Sequence, residues 1–244
     1  MRKGAIDMEK FDEKDKTFAG YIIIGVCLIM FGFLGSLAFV LKADPYDPET
    51  LCIEDISEHT LVVVDKTDSF NKNQQRFIFD YINKLKAGVR VHEKLSIFTL
   101  TRNTYISPEP IFSKCNPGRG ENANALYQNP KKIQLYFDKS FSKPLNDIIE
   151  NILSDNTDSF SPIFEMIREL SFRNDFSNET QKRTLIIISD MMHHTSKYSH
   201  YRNKINYRSF SRGSYADEVK VRLDSVNVKI VYLLRGKLDN LQGK

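Results

Sequence analysis

Between Thr17 and Leu41 the chain carries no charged residue, and from Tyr21 to Leu41 it is almost wholly apolar. A run of about 20 apolar residues is what a helix needs to cross a bilayer. A cleaved leader would carry a shorter apolar core followed by a small-x-small site. Here the run ends Phe39-Val-Leu-Lys42-Ala-Asp44, so a retained anchor over residues 17–41 is expected. Downstream the pattern changes to short apolar runs alternating with amphipathic ones. Leu61–Val64, Lys94–Leu100, Thr184–Asp190 and Val228–Leu234 read as strands; the continuous apolar runs suit strands covered on both faces. Phe77, Ile78, Tyr81, Ile82 and Leu85 have the spacing of an amphipathic helix over 70–87, stopped by Gly88. Further helices are expected over 144–153, 162–172 and 215–223, and a short edge strand over 133–137.

Strands alternating with helices predict an α/β domain: a Rossmann-like, mostly parallel sheet with helices on both faces, preceded by one transmembrane helix. The domain boundaries follow. Residues 1–16 mix five acids with five bases and read as a solvated tail; 42–57, with two X-Pro steps, as a linker; 58–236 as the α/β domain; 237–244 as a C-terminal tail. Five basic residues, Arg2, Lys3, Lys10, Lys14 and Lys16, precede the span, against Lys42 alone in the near downstream flank. The positive-inside rule then sets the N-terminus in the cytoplasm and the domain outside it, as in a single-pass protein of a bacterial inner membrane facing the periplasm. Gly32 and Ser36 form a small-xxx-small pair that could seat a second helix and make an oligomer. A net charge of +4 is too weak to argue for nucleic acid by itself, and three cysteines exclude a disulfide-dense miniprotein.

Two of the buried strands end on a carboxylate, Asp65 and Asp190. Asp65 opens Asp65-Lys-Thr67-Asp-Ser69, which offers hard oxygen donors at alternate positions, suited to Mg²⁺ or Ca²⁺. The competing reading has Asp65 and Ser69 simply capping the next helix. Between the two strands lies a hydroxyl-rich loop, Asn156-Thr-Asp-Ser159-Phe-Ser161-Pro162. Parallel neighbouring strands would bring the three loops to one edge, a cup with two carboxylates whose mutual repulsion a divalent cation would relieve.

With these three loops in this order, residues 58–236 resemble a von Willebrand factor A-type domain with a metal-ion-dependent adhesion site. Asp65-Lys-Thr67-Asp-Ser69 matches that family's Asp-x-Ser-x-Ser motif with Thr for the first Ser; Ser161, with Ser159 as fallback, stands for its second-loop Thr; Asp190 stands for its third-loop Asp. The resemblance implies a binding module rather than an enzyme. Asp65 and Asp190 would orient a Mg²⁺ (or Ca²⁺ or Mn²⁺), Thr67, Ser69 and Ser161 would coordinate it, and an acidic side chain of a protein partner would complete its shell. A filled cup and one that kept the fold without its ion are both compatible with these residues.

With the domain outside the cytoplasm, Cys52 and Cys115 are expected to form a disulfide; otherwise they are unrelated thiols. His193, His194 and His200 lack the spacing of a zinc site. They are expected at the surface or site rim, pH-sensitive near pH 6. His193 and His194, with Lys197, Tyr198, Tyr201 and Arg202, make a candidate partner-binding rim directly after Asp190. Residues 197–212 hold five Lys or Arg and four aromatics with no acid, so a nucleic-acid or acidic-ligand binder is the alternative function. A haloacid-dehalogenase-like Mg²⁺-dependent phosphatase would need an Asp two residues after Asp65, where Thr67 stands.

Overall fold

The computed structural model describes residues 3–40, 46–126, 128–154, 158–202, 206–221, 223–236 and 242. The linker residues 42–45, Asn156 and Thr157 of the second loop, Lys204, and the tail 237–244 apart from Gln242 lie outside the described residues. The chain forms two units, Met1–Pro45 and Tyr46–Lys244.

The first unit is a helix, α1 (Lys3–Val40), which runs through the expected tail as well as the apolar segment. Its stretch Gly20–Leu37 has a mean hydropathy of 2.2 and is long and apolar enough to cross a membrane. Apolar side chains are exposed along it, from Tyr21 and Ile22 to Phe33 and Leu34.

The second unit is built on a five-stranded sheet of order β3-β2-β1-β4-β5. The strands are β1 (Glu58–Asp65), β2 (Lys94–Leu100), β3 (Phe112–Cys115), β4 (Lys182–Ser189) and β5 (Val226–Tyr232). All neighbours are parallel except β3, which runs antiparallel to β2. Because side chains alternate along a strand, each continuous apolar run serves two layers at once. Val62, Val64, Ile97, Ile186 and Ile188 pack under α2 (Lys72–Gly88) and α4 (Lys143–Ile152), through Ile78, Ile82, Leu145 and Ile149. Leu61, Val63, Phe98, Leu185 and Ile187 pack under α5 (Ile163–Ser171), through Ile163, Met166 and Leu170. Each such side chain contributes about 1.5–3 kcal/mol, so the two layers make β1 the most deeply fixed element.

The strand expected over 133–137 is instead part of helix α3 (Pro130–Phe137). Ile133, Leu135 and Phe137 alternate like a strand, but Asn129 caps the Lys132 amide and Pro130 starts the first turn, which starts a helix. Leu135 is accordingly exposed while Phe137 is buried. The antiparallel edge is β3, inside the Pro/Gly-rich loop. The helix expected over 215–223 is shorter, α7 (Ser214–Glu218), preceded by α6 (Tyr207–Ser211).

Cys115 at the end of β3 is disulfide-bonded to Cys52, 63 residues earlier. A cystine of this kind persists in an oxidising compartment, and closing a loop of that length in the unfolded chain contributes about 4 kcal/mol. Replacing both cysteines by serine should therefore shift the urea unfolding midpoint downward, by a stability loss of about 2–5 kcal/mol. An unchanged midpoint would mean that the cystine holds nothing.

At the opposite edge of the sheet from the carboxylates, His59 is buried. Its Nδ1–H donates to the Asp175 carbonyl (2.7 Å) and its Nε2 accepts from the Ser96 hydroxyl (2.8 Å). Burial pushes its pKa down to about 4. In the unfolded chain the ring takes a proton near pH 6.5, in the folded domain only near 4, so stability falls as pH drops through that window. The loss is on the order of 3 kcal/mol. Chemical denaturation at pH 7 and pH 4.5 should show it, and His59→Gln should make the pH dependence shallower; an identical slope in the variant would exclude His59 as its source.

Candidate functional site

Sheet order reverses between β1 and β4, and in open α/β sheets the crevice beyond the strand ends at that point is where ligands bind. Asp65 ends β1 there and Ser189 ends β4. The loop after β1 is free for chemistry because helix α2 has its own cap: Asn71 accepts from the Asn73 and Gln74 amides, and Gln74 returns the bond to the Asn71 amide. Neither Asp65 nor Ser69 caps it.

Asp65 is buried. Its Oδ1 accepts from the Thr67 hydroxyl (2.7 Å) and amide (3.1 Å); its Oδ2 accepts from the hydroxyls of Ser189 (2.7 Å) and Ser161 (3.4 Å). The second loop is tied to the first by the Asp158 amide, which donates to the Thr67 carbonyl at 2.6 Å. It is tied to the third by a two-way backbone pairing of Ser161 with His194, at 2.8 and 2.9 Å. The expected convergence of three chain-distant loops is thus found, around Asp65. They border a cleft of about 420 Å³ lined by Thr67, Asp68, Ser159, Ser161, His194, Tyr201 and Arg202, among others.

The electrostatics are uneven. Burial raises the Asp65 pKa, the Asp190 charge adds to this, and the hydroxyl bonds only partly offset it. Asp68 is also raised, by burial and by Asp190. Tyr201 is pushed up to about 12, by burial first and then by Asp190 and Asp68. Asp190, by contrast, is held by a cation of the chain itself. Arg235 Nε donates to its Oδ2 at 2.5 Å, while Oδ1 accepts from the Met192 amide at 2.9 Å. Met191, between them, has a φ of +56°, a strained left-handed conformation for a residue with a Cβ.

Of the residues expected around a metal, Asp65, Thr67 and Ser161 are brought together. Asp190 lies at the same edge but faces Arg235, and Ser69 is exposed, giving its carbonyl to Arg235 (2.9 Å). Sequence reasoning missed two participants. Ser189 is the last residue of β4, and Arg235 lies three residues past β5. Among the described residues no group of three His, Cys, Asp or Glu is placed to hold a metal. What the cup does offer is one carboxylate and three hydroxyl oxygens, a hard donor set that fits Mg²⁺, Ca²⁺ or Mn²⁺ in kind.

The rim is partly as expected. His194, Tyr201 and Arg202 line the cleft. Lys197 instead pairs with Glu218 and borders a second cleft with Tyr105, Phe160 and Glu165. His193 is not at the rim: it is completely buried, stacked on Phe164 with centroids 4.4 Å apart. Burial lowers its pKa to about 3, which removes it as a sensor near pH 6. The basic, aromatic stretch also turns some of its rings inward, Tyr198 and Phe210 packing on Tyr215.

No protein-family model matches the chain, and no curated protein matches it. Thirty chains of solved structures show similarity. One is the VWA domain of SpRpn10, 13% identical, with 76% of this chain and 94% of that chain covered at a TM-score of 0.31. Superposition at that level bears on no residue of the cup, whose reading rests on its own geometry.

Proposed function

We propose that this chain is a membrane-anchored, extracytoplasmic interaction module that takes an acidic side chain of a protein partner at the three-loop cup. The observation that carries the reading is the Asp65 carboxylate, buried at the reversal point of the sheet beneath the hydroxyls of Thr67, Ser161 and Ser189. A buried carboxylate with only neutral donors is costly, and its raised pKa records that cost. Asp65, Thr67 and Ser161 would hold a Mg²⁺ (or Ca²⁺ or Mn²⁺), with Asp190 and Ser69 drawn in from the neighbouring loops. Bound there, the ion would supply a positive centre with an open position for an incoming carboxylate. The chain's own part is to hold the hydroxyls in place and to frame the approach with His194, Tyr201 and Arg202. Outward orientation is supported by the basic N-terminal flank and by the cystine.

Two measurements on the full chain in nanodiscs test this. Wild type should bind Mn²⁺, read by electron paramagnetic resonance, and Asp65→Asn should lose that binding. Without metal at pH 7 the same variant should melt no lower than wild type. A carboxyl whose folded pKa is raised costs stability as pH rises through that value, and asparagine escapes the cost. A photo-crosslinking residue in place of Tyr201 should capture a partner in cells, and Asp65→Asn should abolish the adduct. Unchanged Mn²⁺ binding in Asp65→Asn, or adducts indifferent to it, would overturn the reading.

A further inference from the structure

We infer that Arg235 is the resident cation of the cup and competes with a divalent ion for Asp190, so that a residue just past β5 sets how readily the cup takes metal. The inference rests on the cation reading above and adds its regulation. The Arg235 guanidinium joins the first and third loops as a metal would. Nε donates to Asp190 Oδ2 (2.5 Å) and lies 3.9 Å from Asp68 Oδ2; Nη1 donates to the Ser69 carbonyl (2.9 Å). The side chain is 16% exposed, which makes this a partly desolvated pair rather than a loose surface contact. Its backbone is fixed as well. The Arg235 amide donates to Gln242 Oε1 (2.8 Å), and Gln242 Nε2 donates to the carbonyls of Leu233 (3.0 Å) and Asp190 (3.3 Å).

The consequence is a division of labour between the two strand-end carboxylates. Asp190 already has a cation paired with it, whereas the donors to Asp65 are all uncharged. A divalent ion seated on Asp65 would meet a guanidinium on the carboxylate it also needs. Like charges sharing one carboxylate repel, and a guanidinium cannot shed its proton to relieve the contact. Metal binding and the Arg235–Asp190 pair therefore exclude one another, and breaking the pair is part of loading the cup.

Mn²⁺ titration of the full chain in nanodiscs tests this, with melting curves taken in parallel. Arg235→Gln should tighten the Mn²⁺ Kd by at least about tenfold, worth about 1.4 kcal/mol. It should also lower the metal-free melting temperature, with Mn²⁺ restoring it, because Asp190 is left unpaired. Arg235→Lys, which keeps the charge, should bind as weakly as wild type. Gln242→Ala, outside the ion pair, should tighten binding by a smaller factor and keeps the test readable if Arg235→Gln does not fold. If neither Arg235→Gln nor Gln242→Ala changes a Kd that Asp65→Asn abolishes, the competition is overturned and the metal cup stands. Silence of wild type and every variant towards Mn²⁺ overturns both.

Discussion

The carboxylate of Asp65 sits at the end of the most deeply buried strand, where it has lost water and gained only uncharged donors. That one desolvated charge governs what its surroundings have to be. Thr67, Ser161 and Ser189 each supply a hydroxyl that can turn to donate to it or turn away to present a lone pair. Larger or apolar side chains at these positions would leave lone pairs of a buried anion unmet, at about 1–3 kcal/mol each or more for a charged group. The three loops are also stitched by backbone, Asp158 to Thr67 and Ser161 to His194, so the hydroxyls do not depend on side-chain packing alone. Strain at Met191 is tolerated in the same place, as strain is at sites held by their surroundings.

The other edge of the sheet solves a similar problem in the opposite way. Asp175 meets Lys94 at 2.8 Å and Arg173 at 2.9 Å, and those cations hold its carboxyl near a pKa of 2 despite burial. Arg183 is buried but donates to the Phe176 and Asp224 carbonyls and to Asn178, and lies over the Phe176 ring. His59 has both ring nitrogens bonded. Asp175, Arg183 and His59 thus each have partners there. The contrast is informative: Asp175 at one end has two cations against it, whereas the donors given for Asp65 at the other are all uncharged, and that difference is what the proposed function rests on.

Much of this architecture was legible in the residues. Leu61–Val64 and Leu185–Ile188 could only be strands covered on both faces, and the carboxylates closing them could only lie at one edge once the strands ran parallel. The Cys52–Cys115 pairing followed from the side of the membrane on which the domain was expected. What was illegible depended on local capping or on distance along the chain. Pro130 after Asn129 outweighed the alternation of Ile133, Leu135 and Phe137. Phe112–Cys115, a strand of four residues inside a Pro/Gly-rich loop, has too short a period to register. Arg235 is 45 residues from Asp190, and nothing in its immediate neighbours announces that its guanidinium crosses to that carboxylate. His193 is expected at the rim because it follows Asp190 closely, yet neighbours on an extended segment point to opposite sides, and His193 takes the inward one.

That inward turn explains how the third loop keeps its shape. The Tyr215 hydroxyl donates to Glu165 Oε1 at 2.5 Å and lies 3.0 Å from His193 Nε2. A hydroxyl that has given its proton to a carboxylate can only accept, so Nε2 must carry the ring proton and Nδ1 is left as a bare acceptor. Glu165 Oε2 faces it from 3.9 Å, and neither atom has a hydrogen-bond partner. Two acceptors turned towards each other would normally drive a loop apart. Here Phe164 stacked on His193, with Tyr198 and Tyr215 against its other contacts, holds the loop on α5 regardless. The packing that fixes His193 also fixes its neighbour His194, and through the backbone pairing it fixes Ser161 beneath the cleft. The Ser161 hydroxyl is therefore positioned for Asp65, through the backbone, by an aromatic cluster of which neither Ser161 nor Asp65 is a member.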